Sequence, residues 1–170
     1  MQIKLVVNER EVQLSWELVQ SVLANVSRDD DSFADVLNEL AQSSVASVRR
    51  AVANTHVISE ETVATLVSDP CPWVIESLVS SHPGKLSQAA LIQIIEHKWS
   101  MVNRNIAQNV EAYYQSDITV VSKLLADSAD PSVRSALASN SSTPKAIVRQ
   151  LLKDTNYEVR RSAKNTLDTN

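Results

Sequence analysis

Three arginines in this chain follow a valine in closely related phrases: Val48-Arg49-Arg50-Ala51-Val52-Ala53, Val133-Arg134-Ser135-Ala136-Leu137-Ala138 and Val159-Arg160-Arg161-Ser162-Ala163. A guanidinium is a planar fork of donors that meets a carboxylate or a phosphate through two parallel hydrogen bonds. Recurring at one position, it does one of two jobs. It lines a strip that grips phosphate or acidic partners, or it forms an internal ladder of ion pairs. Carboxylates stand nearby: Asp154 and Asp69 each lie five residues before a valine (Val159, Val74), and Asp130 lies three before Val133. A desolvated arginine needs a paired, hydrogen-bonded partner. Arg49, Arg134 and Arg160 are therefore assigned to a structural ladder with Asp69, Asp130 and Asp154. Arg50, Arg104 and Arg161 sit one residue further round and are expected to face solvent.

Other chemistry is sparse. His56, His82 and His97 are scattered, and Cys71 is the one cysteine, so no spacing reads as a metal site and no intramolecular disulfide forms. Cys71 lies between Pro70 and Pro72 and close to Asp69, which does not lower a thiol pKa, so an inert thiol is expected. No nucleophile elbow, phosphate loop or dinucleotide fingerprint occurs. The expectation is a non-catalytic protein with no cofactor and no metal.

The elements that position these side chains follow from a repeat. Apolar triplets with helical spacing occur at Leu37/Leu40/Ala41, Val63/Leu66/Val67, Leu91/Ile94/Ile95, Val121/Leu124/Leu125 and Val148/Leu151/Leu152. Each is followed by a valine (Val48, Val74, Val102, Val133, Val159) at an offset of 11 residues, or 12 in the fourth case. Four positions after the valine stand Val52, Leu78, Ile106, Leu137 and Ala163, and one further on Ala53, Val79, Ala107, Ala138 and Lys164. Large then small on one face suits closely stacked helices. Each repeat of about 26 residues is then helix A, turn, helix B, turn, and cannot bury its apolar face alone. The fold class is all-α: an α-solenoid of about five two-helix repeats over 33–167, at about 33–55, 59–82, 87–110, 117–141 and 143–167. Residues 1–32 form an N-terminal cap, with a β-ribbon over 2–14, a helix over 15–26 and a solvated connection at Ser27–Ser32. Ser59, Ser87, Asp117 and Thr143, the last before Pro144, are the expected helix caps. Lys164 fits a polar face on the last helix.

The phrases VRRAVANT, DPSVRSALASNSSTPKAIVRQLL and DTNYEVRRSAKN resemble the variant leucine-rich repeat family, short relatives of HEAT-like repeats. The resemblance spans about residues 33–167. It is good at Val48-Arg49, Val133-Arg134 and Val159-Arg160 and degraded at Val74-Ile75 and Val102-Asn103. It implies a right-handed superhelix and no shared catalytic activity. The iron–sulfur cluster of some members does not carry over, because its cysteines are missing here.

Function is expected where the pattern breaks. The second and third repeats carry longer loops, Ser81-His82-Pro83-Gly84-Lys85 and Glu111-Ala112-Tyr113-Tyr114-Gln115, and hold Trp73 and Trp99. Insertions on one edge and rigid amphipathic rings point to contact surface. The candidate partner-binding residues are Trp73, His82, Trp99, Met101, Arg104, Tyr113 and Tyr114, with exposure expected for the tyrosine pair. For the tryptophans, filling gaps in degraded repeats weighs equally. The expected partner is a protein or peptide. Nucleic-acid binding in the manner of HEAT-like repair proteins is the alternative, disfavoured by 20 acidic against 16 basic residues. Self-association as a structural repeat protein is a further alternative to a monomer or weak homo-oligomer. No apolar run has membrane-spanning length, and a cytoplasmic protein is expected.

Overall fold

A computed structural model describes residues 4–7, 9–15, 17–19, 21 and 33–169. These form short helices joined by turns, apart from one short hairpin, and they divide into two compact bodies, Met1–Ser81 and His82–Asn170. Gln2, Ile3, most of the expected 15–26 helix and the Ser27–Ser32 connection lie outside the described residues.

In the first body, β1 (Lys4–Val7) pairs antiparallel with β2 (Arg10–Gln13), in the register Lys4 to Gln13 and Val7 to Arg10. Glu9 in the connection has φ +63°, the left-handed backbone that a two-residue hairpin loop demands. Ser15 opens a helical turn, its oxygens accepting from the amides of Leu18 and Val19. Four helices follow: α1 (Ala34–Ala41), α2 (Ala46–Ala53), α3 (Glu60–Val67) and α4 (Pro72–Ser81). Helices this short do not persist alone in water, so packing must hold them: α1 lies on α2 and α3, and α4 lies on α2 and α3. The Ser59 hydroxyl caps α3 by accepting from the Thr62 amide at 3.0 Å, and Glu60 and Glu61 suit the positive end of its dipole.

The second body alternates in the same way through η1 (Pro83–Lys85), α5 (Gln88–Glu96), α6 (Ser100–Gln108), η2 (Val110–Ala112), α7 (Ile118–Ala126), α8 (Pro131–Ser139), α9 (Lys145–Leu151) and α10 (Tyr157–Thr169). Here α8 packs between α6 and α10, and α7 between α5 and α9. The row after each valine is its innermost: Ile106, Ala107, Leu137, Ala138 and Ala163 are fully buried, while Lys164 is exposed. Ser87 and Asp117 cap α5 and α7 through their side-chain oxygens.

Two expectations are corrected. In the fourth repeat the buried triplet is Ser122/Leu125/Ala126, with Leu124 only half-buried. Reading only apolar residues shifted that helix by one, and the true offset to Val133 is the common 11. Thr143 does not cap α9. Its hydroxyl donates 2.7 Å to the Leu137 carbonyl at the end of α8, and Pro144 takes the cap position.

The ladder exists, and its wiring differs from the expected one. The Arg49 fork grips Asp69 through Nε and Nη2, the latter at 2.9 Å from Oδ1. Arg134 grips Asp154 identically, with 2.7 Å at Nε and 2.9 Å at Nη2. Each arginine thus reaches the carboxylate 20 residues ahead, in the A-to-B turn of the next repeat. Its remaining nitrogen, Nη1, donates to its own turn six residues back: Arg49 to the Ser43 carbonyl at 2.7 Å and Arg134 to Ser128 at 2.6 Å. Asp130 is no rung. It caps α8, accepting 2.8 Å from the Ser132 amide.

The Arg134 guanidinium holds the Asp154 carboxyl below its usual range, against the opposing pull of burial. A carboxyl whose folded pKa is depressed contributes fully above its unfolded pKa of about 3.9 and loses that contribution as pH falls through the folded value. Asp154→Asn should lower stability at pH 7 by roughly 2–3 kcal/mol, somewhat less than a fully buried broken pair. Urea unfolding across a pH series should show the gap to wild type closing below about pH 4. A gap that stays constant down to pH 3 would contradict the assignment.

Candidate partner-binding surface

Each expected contact residue is placed by the helix or loop that carries it. Trp73 is the second residue of α4, on the face turned away from the buried Val74, Ile75 and Leu78, and it is 54% exposed. Its ring is not loose. The Arg50 guanidinium lies 5.9 Å from the ring centroid, and Arg50 Nε donates 3.1 Å to the Ser77 hydroxyl one turn further along α4. The cation is therefore fixed at one end by a hydrogen bond and covers the π-face, which restricts an aromatic side chain left in water.

In the second body the expected set separates. His82 is buried and Tyr113 is 3% exposed, so neither offers contact surface, and the expected exposure of Tyr113 is overturned. The physical reason lies in the insertions themselves. The first carries Leu86 just beyond it and the second is preceded by Val110, both buried, and the 3₁₀ turns η1 and η2 fold these apolar residues inward. Burial pushes the Tyr113 phenol pKa up, and the Glu111 carboxylate adds to that. Tyr114 alone of the pair is exposed, at 77%, and its ring covers Gly84, where a Cβ would overlap it. The two insertions thus close against each other and do not form an open edge.

Trp99 is half-buried at the N-terminus of α6, stacked on His97 at 4.3 Å with planes 4° apart. Between them Lys98 has φ +58°, so a left-handed residue turns the chain from α5 into α6 and lets the flanking rings meet. Met101 is half-buried. Arg104 is exposed and faces Asp130, whose carboxyl is held below its usual range first by the Ser100 hydroxyl, then by Ser132, with Arg104 contributing. Its charge is therefore partly answered within the chain. Trp73 with Arg50 in the first body, and Trp99 with Arg104 in the second, are separate features.

Tyr157 escaped the sequence reading. It is 63% exposed beside the Arg160 guanidinium, which lies 6.0 Å from its ring. The available signal was its position, two residues before the last valine of the repeat, where no other repeat places an aromatic ring.

No group of three or more metal-ligating side chains occurs among the described residues, and none of their helices is long and apolar enough to cross a membrane. Comparison with family models, curated proteins and solved structures gives no match to this chain.

The separation of the tyrosine pair has a direct measure. Tyr113→Ala should cost about 3 kcal/mol or more, as for other large aromatic-to-alanine truncations in a core. Tyr114→Ala should stay within roughly 0.5 kcal/mol of wild type. Equal losses in denaturant unfolding would refute the placement.

Proposed function

We propose that this protein is a non-catalytic repeat scaffold, a right-handed α-solenoid in the style of variant leucine-rich and HEAT-like repeats, that binds a protein or peptide partner. The observation that carries the reading is Trp73, a large ring 54% exposed and braced by Arg50 and Ser77. Tryptophan and arginine are the residues most often found to dominate binding energy, and a ring already held in place loses little entropy on docking. The repeat supports the reading as well. Short helices that present one row of side chains after another make an extended surface more readily than an enclosed pocket.

Arg104 has the Asp130 carboxylate as a nearby counter-charge, which weakens its attraction for phosphate. The partner surface proposed here is consequently centred on the α2 and α4 face of the first body, with Trp73 at its middle.

A photo-reactive amino acid placed at Ser47, in the row that Trp73 occupies, should capture the partner in cells. Trp73→Ala should weaken the purified partner at least ten-fold, as hot-spot truncations do, while stability moves by about 0.5 kcal/mol or less. Unchanged affinity in a folded Trp73→Ala protein would remove this face from the function.

A further inference from the structure

The outer link between α2 and α4 ends in an open fork. Arg50 Nε is taken up by the hydroxyl of the buried Ser77 at 3.1 Å, and the guanidinium lies 5.9 Å from the Trp73 ring centroid. These two contacts hold the cation in place and leave its far end unused. Nη1 and Nη2 make no hydrogen bond or ion pair among the described residues, and the side chain is exposed. Arg49, one residue earlier, uses all three of its nitrogens on Asp69 and the Ser43 carbonyl. Only the second arginine has donors left for another molecule.

The charges around it state what that end would accept. Between Ala34 and Ser81 the cations are Arg49 and Arg50, against Asp35, Glu39, Glu60, Glu61, Asp69 and Glu76. Arg49 is committed to Asp69, so Arg50 is the one cation of that stretch without an ion pair. The field of this body therefore repels anions at a distance. An anion held at Arg50 is held by contact, through two parallel hydrogen bonds from Nη1 and Nη2. One fork matches one negative charge, and a dianion would add repulsion with no second cation to answer it. Trp73, 54% exposed, borders the fork with apolar surface that excludes water from the charged pair. A platform this open does not enclose a small acid, and it suits a side chain carried on a peptide.

We infer that Arg50 and Trp73 form a receptor for one aspartate or glutamate of a partner segment, the carboxylate meeting Nη1 and Nη2 and an adjoining apolar side chain lying on the indole. This rests on the reading that the α2 and α4 face docks a protein or peptide.

The probes are acetyl-Ser-Leu-Asp-Leu-Ser-amide and its asparagine and phosphoserine counterparts, titrated into the full chain. The readouts are the Arg50 Nε–Hε and Trp73 indole N–H resonances, assigned by their loss in Arg50→Lys and Trp73→Ala. Both should shift with the aspartate peptide, and the asparagine peptide should bind about five-fold more weakly or worse. Arg50→Lys keeps the charge and loses the fork, so it should remove most of that preference. The phosphoserine peptide should bind no tighter than the aspartate one. Tighter binding would reassign the fork to phosphate and overturn the inference, and static resonances at millimolar aspartate peptide would overturn it too. Equal binding of the aspartate and asparagine peptides, both weakened by Trp73→Ala, would keep the docking face and overturn the carboxylate receptor alone. Aspartate-peptide affinity undiminished by Trp73→Ala would remove the docking face and the inference with it.

Discussion

Helices of seven to ten residues leave a large share of their backbone groups without intrahelical partners, and they cannot stand alone. In this chain the answer is a guanidinium divided between two tasks. One nitrogen of Arg49 or Arg134 closes the carbonyls of its own A-to-B turn, and the other two hold the aspartate of the next turn. That aspartate is itself fixed, since Asp69 accepts from the Cys71 amide and Asp154 from the Asn156 amide, both at 2.8 Å. A single side chain thereby ties successive turns together. The apolar rows can then pack without supplying any polar group of their own.

The turn position that answers the arginine varies together with it. Taking the residue six before each arginine-row position, the turns read Ser43, Asp69, His97, Ser128 and Asp154, and the row itself reads Arg49, Ile75, Asn103, Arg134 and Arg160. Aspartate stands only where the preceding repeat supplies arginine. Ile75 is followed by His97 and Asn103 by Ser128, so no carboxylate is left without its cation. Asn103 shows what a shorter side chain does instead: its amide donates 3.1 Å to the Ile95 carbonyl of its own turn and reaches no further. Burial of Ile75 is complete, which is the other way to satisfy the position, by removing polarity from it.

The helices were legible because their signal is the burial of apolar rows at fixed spacing, and that is a property of residue type alone. Partnership was less so. Arg134 and Asp130 are neighbours in the chain, whereas Arg134 and Asp154 are neighbours only once helices of consecutive repeats lie side by side. Asp130, placed directly before Pro131, has a local use as a cap that competes with ion pairing. Ser122 escaped for a similar reason: a serine can occupy a core row when the space is small, and hydropathy alone assigns it elsewhere. In the insertions, extra length was equated with exposure. His82 and Tyr113 show that a longer connection carrying apolar residues folds back, because Leu86 and Val110 beside it have to leave water. Exposure was therefore legible at Tyr114, left open at Trp73, and obscured wherever a large side chain had a cavity to fill.

The residue after the ladder arginine explains why Trp73 can be exposed without being free. Ser135 bonds Ser162 at 3.1 Å, and Arg50 bonds Ser77 at the same distance, each reaching 27 residues ahead to the next B helix. This is a second, outer link running beside the ion pairs. A serine at that position spans the gap with a hydroxyl and leaves the surface flat. An arginine spans it with Nε and still has a planar cation to spare, and the ring that meets this cation is Trp73. Adjacent Arg49 and Arg50, about 100° apart around one helix, thus serve different neighbours, the first tying turns together and the second turning a structural link into a platform for an aromatic ring. The platform then requires no departure from the repeat, only a longer side chain at one of its outer links.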